Sequence, residues 1–204
     1  MVVDAGCGSG RYVGALAARG FRVIGVDRSA ALIEQACERT SRAAFVCADF
    51  LGWDPPEAAA AVLCRGVLND LTRDSERRGA FAAFGSWLRH GGVLLADVRE
   101  WEPTAARYAT QRIREDTHSH AGRTLRFATE TSLDAENHLM HVREHYAGTV
   151  EGVGVDESYD FVMRCWTTSE IRDHAAAAGF RSLELRPGRE AGIAPDRLQI
   201  IART

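Results

Sequence analysis

The sequence predicts an α/β protein with a doubly wound sheet of seven strands and an antiparallel β-sheet inserted late in the chain. Short apolar strands alternate with amphipathic helices through the first hundred residues. Three of those strands end in an acid, Asp4, Asp27 and Asp49, on what would be one edge of a parallel sheet. From Thr124 to Arg164 the pattern switches to long segments of period two, which read as antiparallel strands. At 204 residues the chain is long enough for one domain, residues 1–204, with the insert at about 117–166 roofing the site.

The elements follow in order. Met1 to Ala5 is an apolar strand that runs into Gly6-Cys7-Gly8-Ser9-Gly10 and then into a helix over Arg11–Arg19. Phe21–Asp27 is the second strand, Ala30–Arg39 an amphipathic helix with Leu32, Ile33 and Ala36 inward, and Ala43–Cys47 the third strand. Trp53-Asp54-Pro55-Pro56 is a proline-stiffened loop. Ala58–Cys64 is the fourth strand. Ser75–His90 is a helix with Phe81, Phe84, Trp87 and Leu88 on its core face, stopped by Gly91-Gly92. Val93–Val98 is the fifth strand, continuously apolar as a buried parallel strand must be. The insert comprises Thr124–Leu133, His138–Thr149 and Ser158–Cys165, with Asp134 to Asn137 as its first hairpin turn; Phe127, Tyr146, Arg164 and Trp166 are its expected inward residues. A capped helix from Thr168 to Ala178 and two strands, Phe180–Leu185 and Leu198–Ala202, close the sheet.

Composition limits the function. A net charge of −3 without a basic tail argues against a nucleic-acid partner and for a small-molecule substrate. All 25 basic residues are arginine, which excludes lysine as a base or Schiff-base partner, and the richness in alanine and glycine fits a GC-rich bacterial genome. Five scattered cysteines without a Cys-x-x-Cys pair point to a reducing, cytoplasmic setting. No apolar run reaches membrane-spanning length, so no membrane partner is expected. Five histidines, His118, His120, His138, His141 and His145, have spacings that fit no zinc site, and no metal is expected.

The chemistry concentrates in the glycine turn. Glycine serves there because the chain turns with backbone angles other residues resist, and because a ligand must approach the backbone with no Cβ in the way. A dinucleotide fingerprint is Gly-x-Gly-x-x-Gly, whereas Gly6, Gly8 and Gly10 are spaced Gly-x-Gly-x-Gly behind Asp4. An acid at that point can accept from an ammonium group, which methionine has and a pyrophosphate lacks. Asp27, about twenty residues on, stands where two ribose hydroxyls need a bidentate acceptor, or else caps the next helix.

Asp4-x-Gly6-x-Gly8-x-Gly10 closely resembles motif I of the class I S-adenosylmethionine-dependent methyltransferases, a Rossmann-like family. The resemblance implies S-adenosylmethionine as cofactor, with Asp4, Gly6, Cys7, Gly8 and Gly10 at its methionine half and Asp27 and Arg28 at the ribose. It places Asp49 and Phe50 at the adenine, and Arg65 and Gly66 beside the reacting group. It also implies one or two helices ahead of the first strand, where this sequence begins. Metal-dependent members place an aspartate where Arg65 stands.

Asp97-Val98-Arg99-Glu100-Trp101 is similar to a segment of glycine N-methyltransferase-like enzymes whose arginine grips a substrate carboxylate. Arg99 therefore either binds such a group or pairs with Asp97 or Glu102. Asn69 positions a nucleophile, or else Asn69 or Asp70 caps the following helix. Tyr146 and Trp101 are candidate aromatic faces for the cationic sulfur, and His145 a candidate general base. Arg65, Arg99 and Arg164 favour an anionic substrate. The expected function is N-methylation of a small amine or amino-acid-like carboxylate. The alternatives are O- or C-methylation of a bacterial secondary metabolite and a module that holds the cofactor without catalysis. The insert is expected to roof the substrate pocket or form a homodimer face.

Overall fold

The structure is a computed structural model that describes residues 1–120, 123–150 and 152–204. The opening apolar run forms β1 (Val2–Ala5), buried at all four positions. It is followed by α1 (Arg11–Ala17), β2 (Val23–Asp27), α2 (Ala30–Arg39), β3 (Ala44–Cys47) and β4 (Ala59–Cys64). One-turn 3-10 segments, Phe50–Gly52 and Leu68–Asp70, follow β3 and β4. The chain continues through α3 (Asp74–Trp87), β5 (Leu88–Arg99) and α4 (Trp101–Tyr108) into β6 (Ile113–His120), β7 (Arg123–Asp134), β8 (Leu139–Val150) and β9 (Val153–Arg164). It ends with α5 (Thr168–Ala177), β10 (Ser182–Pro187), α6 (Gly188–Ala191) and β11 (Arg197–Arg203).

The expected doubly wound sheet is present, in the order β10-β11-β5-β4-β1-β2-β3. β1 pairs in parallel with β2 on one side and with β4 on the other, Asp4 lying opposite Gly25 and Leu63. The strand order therefore reverses at β1, and the crevice outside the carboxyl ends of β1 and β4 is where such sheets hold ligands. β11 runs antiparallel between β5 and β10, placing Arg197 opposite Arg99. The inserted sheet is a plain antiparallel meander, β6-β7-β8-β9.

The aromatic stripe of α3 is core, as its spacing predicts. Phe81 and Phe84 are fully buried, Phe84 stacks on Phe50 at 5.6 Å and Phe81 lies 5.8 Å from Trp166. Trp87 donates to Asp54 at 2.9 Å, fastening the proline-stiffened loop to the helix.

Several boundaries differ from the sequence reading. α3 stops at Trp87 because Leu88 takes an extended conformation and is itself buried, so the chain leaves the helix before Gly91-Gly92. The insert begins a strand earlier than its alternation shows, with β6, whose Ile113-Arg-Glu-Asp-Thr-His-Ser-His has little apolar periodicity of its own. α4 carries Pro103 in its first turn, where the missing N–H costs nothing. Trp166 belongs to the main core and not to the insert: its indole donates to the Leu68 carbonyl at 3.1 Å.

Candidate active site

β1 carries Asp4 and the glycine turn to the carboxyl edge of the sheet. Gly6, Gly8 and Gly10 have φ of 74°, 53° and 77°, the left-handed region that a Cβ resists. At Gly6 the close approach is as demanding as the dihedral, because a β-carbon there would lie 2.3 Å from Val67 Cγ2. The turn is fixed against β2 by Gly6 and Cys7, whose N–H groups both donate to the Val26 carbonyl.

Asp27, at the end of β2, ties the site together. Its Oδ2 accepts from the Gly8 N–H at 2.8 Å and its Oδ1 from the Ser29 N–H at 2.9 Å. The cap of α2 is Ser29, whose hydroxyl accepts from Leu32. Asp27 is thus aimed at the crevice by two backbone donors, with lone pairs remaining on both oxygens. Asp49 accepts from the Leu51 N–H at 3.0 Å at the head of its 3-10 turn, and that turn puts the Phe50 ring against Phe84.

Gly6, Asp27, Arg28, Asp49, Phe50 and Val67 line one crevice of about 340 Å³, together with Asp70, Leu71 and Glu76. Five of the expected cofactor residues thus meet at the switch point. Glu76 was not legible, since it comes from the head of α3, which lacks any local motif.

Asp4 is 1% exposed, and among the described residues its Oδ2 has no hydrogen-bond partner. Burial and then the Asp27 charge push its carboxyl up to about 7, against the pull of Arg65. Burial and the same two acids push the Cys7 thiol up to about 12, so Cys7 serves as a small packing group and not as a nucleophile. Arg65 leaves β4 at the same edge. Its Nε donates to Asp97 Oδ2 at 2.7 Å, and Asp97 Oδ1 accepts from the Gly66 N–H and from Arg197, each at 2.8 Å. These donors outweigh burial and hold the Asp97 carboxyl below the usual range.

Asn69 and Arg99 stand at the junction with the inserted sheet. Asn69 is buried; its Oδ1 accepts from the Arg99 N–H at 2.9 Å and its Nδ2 donates to the Arg164 carbonyl at 2.8 Å. It therefore joins the turn after β4, the end of β5 and the end of β9, and caps no helix. Arg99 pairs with neither Asp97 nor Glu102. Its Nη1 is bound to the Asp196 carboxylate, which Arg107 also approaches at 3.2 Å. Asp196 was missed because it lies 97 residues away. The usable signal was topological: a last strand antiparallel to β5 begins at the edge where β5 ends.

Arg99, Arg107 and Tyr108 line a second cavity, of about 550 Å³, beneath the inserted sheet with Phe127, Met140 and Phe161. Tyr146 pairs with Phe127 across the strands at 4.9 Å and donates to Glu144 at 2.9 Å, outside the crevice. Its neighbour His145 faces the opposite side of β8 and meets Asp156 at 2.8 Å. Trp101 stacks on His138 at 4.6 Å. Arg164 is held by Glu170 at 2.6 Å. The structure brings none of these four into the crevice. Among the described residues no three His, Cys, Asp or Glu side chains gather to hold a metal, and no helix is long and apolar enough to cross a membrane.

A family model described as "Methyltransferase domain" matches residues 2–92, the stretch that contains the glycine turn and every wall of the crevice. The match covers a little under half of the chain. The glycine turn that carries the motif I resemblance falls inside the matched residues. A trans-aconitate 2-methyltransferase of Methylobacterium radiotolerans is 39% identical over 108 residues, which are 51% of this chain and 40% of that protein. The chain spans about half or less of the length of the curated relatives it matches.

Solved structures extend the likeness in fold beyond residues 2–92 to the inserted sheet. SAM-bound CalS10, an amino pentose methyltransferase from Micromonospora echinaspora, superposes with a TM-score of 0.85 at 24% identity, covering 100% of this chain and 83% of that one. KedS8, a sugar N-methyltransferase from Streptoalloteichus, gives 0.83 at 20% identity over 99% of this chain and 78% of that one. The fold is the one these two structures share.

Proposed function

We propose that the chain is an S-adenosylmethionine-dependent methyltransferase that methylates a nitrogen of a small amine or amino-acid-like substrate. The observation that carries the reading is the crevice at the switch point, lined by Gly6, Asp27, Asp49 and Phe50, two residues along from a buried Asp4 whose Oδ2 has no partner among the described residues. The donor set fits the cofactor. Asp4 suits its ammonium, Asp27 offers acceptors to the ribose hydroxyls, and Asp49 with Phe50 suits the adenine edge and face. Bound there, S-adenosylmethionine supplies a methyl group already activated by a cationic sulfur.

What remains for the protein is to position the acceptor, and tight positioning can lower a barrier by about 7–11 kcal/mol. Asn69 serves this by fixing the end of β5, and so Arg99, against the turn that walls the crevice. A neutral amine needs no base before attack. The similarity in architecture to amino-sugar methyltransferases supports nitrogen as the acceptor.

One observation favours a second reading, O-methylation of a carboxylate. Arg99 and Arg107 share one carboxylate, Asp196, at the wall of the cavity beneath the inserted sheet, which leaves cationic capacity for an acidic substrate. The similarity to trans-aconitate 2-methyltransferases accords with it.

The test is transfer of a tritiated methyl group from the cofactor to pools of amino sugars, amino acids and tricarboxylates, with S-adenosylhomocysteine measured alongside. Base-stable tritiated product from amines is expected. Base-labile product from acids alone would move the reaction to oxygen. Cofactor binding without S-adenosylhomocysteine formation on any pool would make the chain a binding module.

A further inference from the structure

The inserted sheet divides its side chains by polarity. Val142 lies opposite Phe161 and Met140 opposite Met163, which puts four apolar residues in two cross-strand rows on one face. Between those rows and beyond them the same strands send charge the other way: Arg143 lies opposite Asp160 and donates to it at 2.9 Å. At the root of the insert the apolar face is closed, since Met140 and Val142 are buried in a cluster with Trp101 and Tyr108 of α4. Farther out it is open. Phe161 is 37% exposed and, with Phe127 and Met163, lines the cavity of about 550 Å³. A concave space of that size, walled by apolar side chains with a few polar groups, has the form of a small-molecule site.

Charge orients what enters. The crevice at the switch point carries Asp27, Asp49, Asp70 and Glu76 against a single arginine among the described residues, Arg28, so an amine is drawn to it. The cavity carries Arg99, Arg107 and Arg114 against Glu115 and Glu144, and an ammonium gains nothing there. One turn joins the two spaces. Asp70 lines the crevice, while Asn69 beside it accepts from the N–H of Arg99, whose side chain lines the cavity.

We propose that the cavity beneath the inserted sheet receives an aromatic body of the methyl acceptor, so that the substrate is an arylalkylamine with its nitrogen toward the acidic crevice and its ring against Phe161 and Met163. The proposal rests on the reading of the chain as an N-methyltransferase and narrows its substrate class. A ring in that place gains offset or edge contact with Phe161 and Phe127 and with the Met163 sulfur. A sugar or a tricarboxylate would set its polar groups against the same apolar rows and lose hydrogen bonds to water.

The chain has three methionines, and two of them, Met140 and Met163, line the cavity, whereas Met1 lines neither space. NMR of the full chain carrying 13C-labelled methionine methyl groups, saturated with S-adenosylhomocysteine, therefore reports a ring that enters. The probes are 2-phenylethylamine, 4-phenylbutylamine and D-glucosamine. One or both aryl amines should shift the Met140 and Met163 signals and leave that of Met1 in place, and D-glucosamine should move none. Phe161→Ala should weaken the titration about tenfold and Phe161→Leu by less, with S-adenosylhomocysteine affinity within about twofold of wild type. Signals that stay put with both aryl amines overturn the proposal, as does D-glucosamine that moves them equally or a Phe161→Ala chain that titrates like wild type. Tritiated methyl transfer to the same probes separates this from the reading beneath it. Transfer to D-glucosamine without a shift from either aryl amine overturns the aromatic pocket and keeps nitrogen as the acceptor, whereas aryl amines that shift both signals while the chain methylates only acids overturn the amine substrate.

Discussion

The backbone N–H of Gly8 donates to Oδ2 of Asp27 at 2.8 Å. This contact joins the turn after β1 to the acid after β2, so one carboxylate both shapes the glycine turn and faces the crevice that the turn borders. Asp27→Ala should therefore weaken S-adenosylhomocysteine binding by about 10–100-fold, the worth of a charge-assisted hydrogen-bond pair. Calorimetry reads the loss. A melting temperature within a few degrees of wild type would assign it to the site and not to unfolding.

Gly6→Ala should destabilise the fold, since φ is 74° and the new methyl would meet Val67 Cγ2 at 2.3 Å. The strain and the overlap together amount to about 2–4 kcal/mol. Adding Val67→Ala relieves only the overlap. The double variant should recover part of the stability in a denaturant titration, and no recovery would mean that the dihedral dominates.

Asp4 makes stability depend on pH. Its carboxyl is raised from 3.8 to about 7, with burial the first cause, so the folded state holds the proton more tightly than the unfolded chain does. Stability linked to Asp4 is therefore fully present below about pH 4 and is lost as pH rises through 7. The cost at pH 8 is at most ~4 kcal/mol, taking ~1.4 kcal/mol per pH unit. Asp4→Asn should raise the melting temperature more at pH 8 than at pH 5. Equal gains at both values would mean that Asp4 is ionised throughout.

Asn69→Ala removes acceptor and donor from two buried backbone groups, the Arg99 N–H and the Arg164 carbonyl. A loss of about 1–3 kcal/mol is expected. Because those groups anchor the inserted sheet, KM for the methyl acceptor should rise while S-adenosylhomocysteine affinity stays near wild type. A fall in cofactor affinity as large as the rise in KM would place Asn69 at the cofactor instead.

How much of this was legible depended on how local each signal is. Strand and glycine turn follow one another within a few residues and Asp27 ends the next strand, so the motif I resemblance could name Asp4, Gly6 and Asp27 from a short stretch of sequence. Phe81, Phe84 and Trp87 announced a core face by their helical period. The partner of Arg99 could not be read, because Asp196 reaches it only through the antiparallel return of β11. Tyr146 and His145 show a different limit. Consecutive residues on a strand face opposite ways, and the alternation gives the period without saying which side is inward. The end of α3 was masked because Leu88 continues its apolar spacing and yet begins a strand.

A crystal structure of the chain soaked with S-adenosylhomocysteine tests the central claim most directly. The account predicts ligand density running from Asp4, past the Asp27 carboxylate, to the ring of Phe50. A crevice without ligand at saturating concentration, or ligand bound elsewhere on the protein, would contradict it.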